Sequence, residues 1–291
     1  MTAIPDDKLY DYASRLKNRV VVITGAANGI GRETALQLAL YGAKVVIGDL
    51  DVLGAQKTVN DIESAGGTAV FLKCNVTVWE EQVALFELAT SQFGAVDIVV
   101  PNAGVAELGT FDTVTFKDGK PVKPDTRTLE VNLTGAVYTT HLALHYLGVD
   151  RDPEADTLKA VVLIGSMDTN IIPIAARLFL AGIPLTPVPR IAGAIIYAAT
   201  NPDPETNGVA FLLTDDGPVF MVPREEFKMG VYKMIDERAN ALLKGASGLG
   251  YYFRLLGDLR RILGKPIVMT GIALVVAKMY WDHRELLGEP E

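Results

Sequence analysis

The sequence is poor in the features that mark secreted, nucleic-acid-binding and membrane-spanning chains. It holds one cysteine, Cys74, so no internal disulfide can form, and a reducing, cytoplasmic setting is expected. No C-x-x-C pair appears, and only three histidines are present. His141 and His145 stand four apart, at metal-ligand spacing on a helix. They lack a third ligand in pattern, so a packed or interface helix is the plainer reading and no metal is expected. Basic residues are outnumbered, 27 Lys and Arg against 35 Asp and Glu, for a net charge of −8. No Lys/Arg cluster is dense enough to neutralise a phosphate backbone, which excludes nucleic acid as an expected partner. The first 17 residues carry no apolar core of signal-peptide length. The longest apolar run of the tail, 267–277, falls short of the roughly 20 residues a spanning helix needs.

What the sequence does contain is alternation. Short buried-strand patterns at 19–25, 43–49, 68–76, 96–104 and 160–165 are separated by helical periodicity through 40 and over 51–65, 78–93 and 125–147. Strands that are apolar throughout, each followed by a helix, predict a parallel sheet covered on both faces. With right-handed crossovers this is an α/β, doubly wound, mostly parallel Rossmann-like sheet. A helix at 190–200 and a last strand at 208–216 follow. Three regions are expected: an extension (1–17), a dinucleotide-binding domain (18–230) and a helical C-terminal tail (231–291).

The segment "TGAANGIG", Thr24 to Gly31, follows a strand and opens a helix. Gly25 permits the tight turn. Gly29 lets the backbone approach a pyrophosphate, and Gly31 allows close helix–strand packing at a helix N-terminus that favours anions. The second strand ends in Asp49, 18 residues beyond Gly31. Its carboxylate can accept from ribose hydroxyls and would repel a 2′-phosphate, which favours NAD over NADP. Asp51 adds to that negative field or caps the next helix, and Arg32 works against the preference.

These residues resemble the short-chain dehydrogenase/reductase family. The glycine spacing is T-G-x-x-x-G-I-G, "NAG" stands at Asn102 to Gly104, Asn132 lies in "LEVNLTG", and Ser166 ends "VVLIGS". The resemblance covers roughly 18–230. It implies hydride transfer between a nicotinamide and a carbonyl or alcohol carbon. It assigns catalytic roles to Ser166, which orients the substrate oxygen, and Asn132, which holds a water in the proton path. It assigns the cofactor shell to Thr24, Gly25, Asn28, Gly29, Ile30, Gly31, Asp49, Asn75, Val76, Asn102, Ala103, Gly104 and Thr169. Asn75 replaces the family's usual Asp, with an amide oxygen that can accept from the adenine amino group.

The family's chemistry also needs a tyrosine with a lysine four residues later, because a phenol of pKa about 10 is a poor base without a nearby cation. None of the ten tyrosines has Lys at that spacing. Ser166 and Thr169 are three apart, whereas the family places a helix and a strand between the residues they match. Such a unit needs roughly 30 residues. The sequence therefore reads as a chain that has lost its catalytic helix and sixth strand between about Met167 and Asp168, through a skipped exon or a gene-model error. A divergent chain that never had the unit is the alternative. The Tyr/Lys pair is missing either way, and the chain is expected to be inactive or crippled.

Residues 171–190 match the family's substrate-covering loop and are rich in Ile, Leu, Ala and Pro, which suggests an apolar alcohol or ketone. The tail sets Arg254, Arg260, Arg261 and Lys265 beside aromatic and apolar residues. That pattern fits peripheral membrane contact, a packed helix, or a homo-oligomer contact.

Overall fold

Alternate residues of the central strands face opposite layers, as the pleat requires. In the computed structural model, which describes residues 1–106, 114–149, 158–164, 186–213 and 217–227, β2 (Val20–Thr24) is buried throughout. Val21 and Ile23 join one apolar cluster and Val20 and Val22 another. The same split divides β3 (Lys44–Asp49): Val45 and Ile47 face the first cluster, Val46 the second. Helices α1 (Gly29–Leu40) and α2 (Val52–Ser64) lie in the first layer and α3 (Trp79–Phe93) in the second. With β4 (Thr68–Lys73), β5 (Ile98–Val100) and β8 (Ala160–Val161), the strands form a parallel sheet in the order β4-β3-β2-β5-β8. This is the Rossmann-like α/β fold that the alternation predicts.

The strands are shorter than their apolar runs. β5 stops at Val100 because Pro101 has no N–H to continue the ladder. After β4, one further bond from Cys74 N–H to the Asp49 carbonyl precedes a turn closed by Val78 N–H on the Asn75 carbonyl. β8 is regular for two residues and has β5 as its one neighbour among the described residues. Between β5 and β8 come a small hairpin, β6 (Phe116–Lys117) with β7 (Lys120–Pro121), and a long helix, α4. Helix α4 runs as an α-turn Arg127–Leu129, a π-stretch Glu130–Gly135 and an α-helix Ala136–Tyr146.

The last strand expected from the sequence, 208–216, is regular over β9 (Ala210–Leu213), which pairs antiparallel with β10 (Val219–Val222). β10 pairs in turn with β1 (Thr2–Ile4), so Thr2 stands opposite Met221. The N-terminal extension is likewise built into the domain. Leu9, Ala13 and Leu16 are buried, and Tyr10 stacks on Tyr41. Arg190 of α5 (Val188–Thr200) donates to Asp6 at 2.8 Å. Short apolar stretches set among charges hide this packing from a sequence reading.

By contacts the chain divides into two units, Met1–Arg224 and Glu225–Glu291; the sheet and its helices belong to the first. The tail, 231–291, with its expected membrane or oligomer contact, lies outside the described residues. Among the described residues, no helix is long and apolar enough to cross a membrane.

Candidate nucleotide site

The Gly-rich turn is held by contacts that leave no room for side chains. Gly25 sits at φ +73°, and a Cβ there would come 2.6 Å from Ala103 Cα. A Cβ on Gly31 would collide with the Gly25 carbonyl oxygen and the Asn102 amide nitrogen. Gly29 also has positive φ, +57°. These are the positions at which only glycine fits without strain. Asn28 stands at the N-cap of α1 in an extended conformation, so the first-turn N–H groups of α1 open toward the space above the turn.

The "NAG" segment is a clasp for that turn. Asn102 Nδ2 donates to the carbonyls of Thr24 (2.9 Å) and Gly25 (2.8 Å). The Thr24 hydroxyl accepts from the N–H groups of Asn102 and Ala103, both at 3.1 Å. Thr24 and Asn102 therefore fix the end of β2 to the end of β5 from beneath.

Asp49 ends β3 beside the turn. One carboxylate oxygen accepts from Ala27 N–H at 2.8 Å and the other from Asp51 N–H at 2.9 Å. Each carboxylate oxygen has a second lone pair for a ligand hydroxyl. Asp51 caps α2, accepting from Gly54 N–H at 3.0 Å. Arg32, expected to oppose the preference for NAD, turns to α2 and donates to Asp61 at 2.6 Å.

A cleft of about 960 Å³ lies over the carboxyl ends of the strands, the place where open α/β sheets bind ligands. Gly25, Asn28, Gly29, Ile30, Gly31, Asp49, Asn75, Val76, Asn102, Ala103, Gly104 and Asn132 all line it; Thr24 lies below. Ser166 and Thr169 lie outside the described residues. Asp49 and Asp51 are the charged side chains of the lining among the described residues, where no Lys, Arg or His lines it.

Two asparagines are engaged differently from expectation. Asn75 Oδ1, expected to receive an adenine amino group, accepts from both the N–H (3.0 Å) and the hydroxyl (2.9 Å) of Thr77. Asn132, in the π-stretch of α4, closes a two-bond ring with the Val105 main chain. Its Oδ1 accepts from Val105 N–H at 2.8 Å, and its Nδ2 donates to the Val105 carbonyl at 2.9 Å.

Sequence reasoning missed Gln82. Fully buried, it donates to the carbonyls of Val76 (2.5 Å) and Gly135 (3.0 Å) and accepts from the Thr139 hydroxyl (2.7 Å). It thereby ties the loop after β4 to the π-stretch that carries Asn132. Its neighbour Glu81 accepts from Asn75 N–H at 2.6 Å. A polar pair in the first turn of an amphipathic helix reads as solvent-facing, and only the buried position of Gln82 betrays its role. Cys74 also lines the cleft but is 2% exposed. Burial, then the Glu81 and Asp49 carboxylates, push its thiol up to about 12, so it stays neutral.

The family model described as short chain dehydrogenase matches residues 19–171, more than half of the chain. This chain belongs to the short chain dehydrogenase family. Among curated relatives, the short-chain dehydrogenase/reductase ascJ of Acremonium egyptiacum is 37% identical over 155 residues, covering 53% of this chain and 49% of the relative. The cyclohexanol dehydrogenase of Acinetobacter sp. (strain SE19) is 35% identical over 130 residues, covering 44% and 49%. The chain spans about half the length of the curated relatives it matches. A short-chain type dehydrogenase/reductase from Mycobacterium marinum superposes with a TM-score of 0.50 at 22% identity, over 66% of this chain and 91% of that one, a likeness of fold.

Proposed function

We propose that this chain is an NAD-binding member of its family that retains the nucleotide site and lacks the proton-transfer pair, so that it interconverts an apolar alcohol and ketone slowly or not at all. The observation that carries the reading is the corner formed by the glycine turn and Asp49. There a helix N-terminus and a carboxylate with spare lone pairs face one cleft that has no basic side chain among its described lining residues. Such a corner suits a diphosphate on the N–H groups and ribose hydroxyls on the acid, and a 2′-phosphate would meet Asp49 and Asp51. The lineage's substrate class rests on the cyclohexanol dehydrogenase name of one relative and on the apolar 171–190 segment. Loss of activity rests on the absence of Tyr-x-x-x-Lys anywhere in the sequence.

The test is a pair of measurements on the purified full chain. NADH titration, followed by nicotinamide fluorescence, is expected to saturate, and Asp49→Ala to weaken binding at least about tenfold, the loss of a charge-assisted hydrogen-bond pair. Cyclohexanol with NAD, and cyclohexanone with NADH, are expected to give no turnover. Turnover at ordinary enzyme rates would overturn the reading of the missing pair; unchanged affinity in Asp49→Ala would overturn the ribose assignment.

A second reading, a non-catalytic nucleotide-binding protein that works through a partner or a membrane surface, has one observation in its favour. Leu129, Leu133, Val137 and Leu144 are each more than half exposed along α4. Spacings of four and seven put them on one side of the helix.

A further inference from the structure

We propose that Asp61 is a determinant of cofactor selectivity: it keeps the cation of Arg32 away from the ribose corner and so keeps NADP out. This rests on the dinucleotide reading above and extends it to a residue outside the cleft.

Arg32 stands next in the chain to cleft-lining Gly31, in the first turn of α1. Its N–H donates to the Asn28 carbonyl at 3.2 Å. The Asn28 amide in turn approaches Asp51 at 3.4 Å. Arg32 is thus rooted at the corner where a 2′-phosphate would sit, and an arginine there is a ready bidentate partner for phosphate. Its guanidinium is drawn the other way, to Asp61 at 2.6 Å.

Asp61 can hold it because α2 is itself fixed against the glycine turn. One turn earlier on α2, the buried Thr58 hydroxyl donates to the Ala26 carbonyl at 3.0 Å. A Cβ on Gly54 would come 2.8 Å from Ala27 Cβ. The two charged side chains remain partly open to water, 32% and 40% exposed. Charge rather than enclosure therefore keeps the guanidinium where it is, and removing the charge frees it. Arg32 then gains the freedom to reach a phosphate. An exposed pair of this kind is a weak restraint, so a modest change in selectivity is expected.

The experiment measures dissociation constants for NADH and NADPH on wild type, Asp61→Asn, Arg32→Gln and the double variant, at low and high salt. Wild type is expected to prefer NADH. Asp61→Asn is expected to tighten NADPH about three- to tenfold with NADH changed less than twofold. The gain should vanish in the double variant and shrink at high ionic strength. An equal NADPH affinity in wild type and Asp61→Asn, with NADH still bound, overturns the proposal. So does a gain that survives removal of Arg32. If wild type binds neither nucleotide, the dinucleotide reading itself falls, and this inference with it. Circular dichroism of each variant separates a selectivity change from loss of fold.

Discussion

The two sides of the sheet are built to different standards. At β2 and β3 the strands run five and six residues, and the interior of each is buried. The turn that joins β2 to α1 is fixed by glycine contacts, by Asn102 and by Thr24. At β8 the strand is two residues long and half-buried, and Leu163 beyond it is 61% exposed. The helix alongside, α4, shows an apolar row to solvent. The side with the glycine turn is over-determined, and the side with β8 shows apolar surface to solvent among the described residues.

Four substitutions or conditions sharpen that contrast. Ile23→Ala on β2 removes a side chain with no exposed surface and is expected to cost about 2–5 kcal/mol, read by urea denaturation. Gln82→Met strands the Val76 carbonyl, while the Gly135 carbonyl keeps the Thr139 hydroxyl, and is expected to cost about 1–3 kcal/mol. It should also weaken NADH binding, because both cleft walls lose their tie; unchanged binding would mean that the walls hold without it. Cys74 supplies the third. Its thiol is raised from 9.0 to about 12 in the fold, so the native state keeps a proton that the unfolded chain releases. Stability is then full below about pH 9 and lost as pH rises toward 12, by about 1 kcal/mol at pH 10. Denaturation at pH 8 and pH 10 should show this loss in wild type and not in Cys74→Ala. The smallest effect belongs to Leu133→Ser on α4. Leu133 is 61% exposed, so monomer stability should stay within about 0.5 kcal/mol. A large loss there would show that the exposed row is covered in solution, and size-exclusion chromatography of the variant would show whether a second copy covers it.

The parallel sheet was readable because its strands are continuous apolar runs and its helices carry a 3.6-residue period. Gly25, Gly29, Gly31 and Asp49 were readable because each is the residue type that its position demands sterically or electrostatically. What escaped were contacts between residues distant in sequence. Gln82 reaches Gly135 across 53 positions, and Arg32 meets Asp61 across 29; both look like ordinary surface polarity until the fold brings them together. The partner of the 208–216 strand escaped for the same reason. β10 and β1 are four- and three-residue strands, too short for period two to declare itself. Strand ends were overestimated wherever an apolar run continued past the last ladder bond, as at Pro101 and Cys74.

The pairing of β1 with β10 also sets a clock on synthesis. Thr2–Ile4 leaves the ribosome more than two hundred residues ahead of Val219–Val222, its only strand neighbour in the described fold. At about 5–20 residues per second, the β1 segment waits roughly 10–40 s for that neighbour. During that interval Leu9, Ala13 and Leu16, destined for burial, lack the α5 helix that covers them, because α5 too is encoded near the end of the domain. The nucleotide-binding strands β2, β3 and β4 are complete long before. A nascent chain stalled after β5 should therefore carry an assembled phosphate turn and an unsheltered N-terminal arm, the form in which a holdase chaperone would meet it.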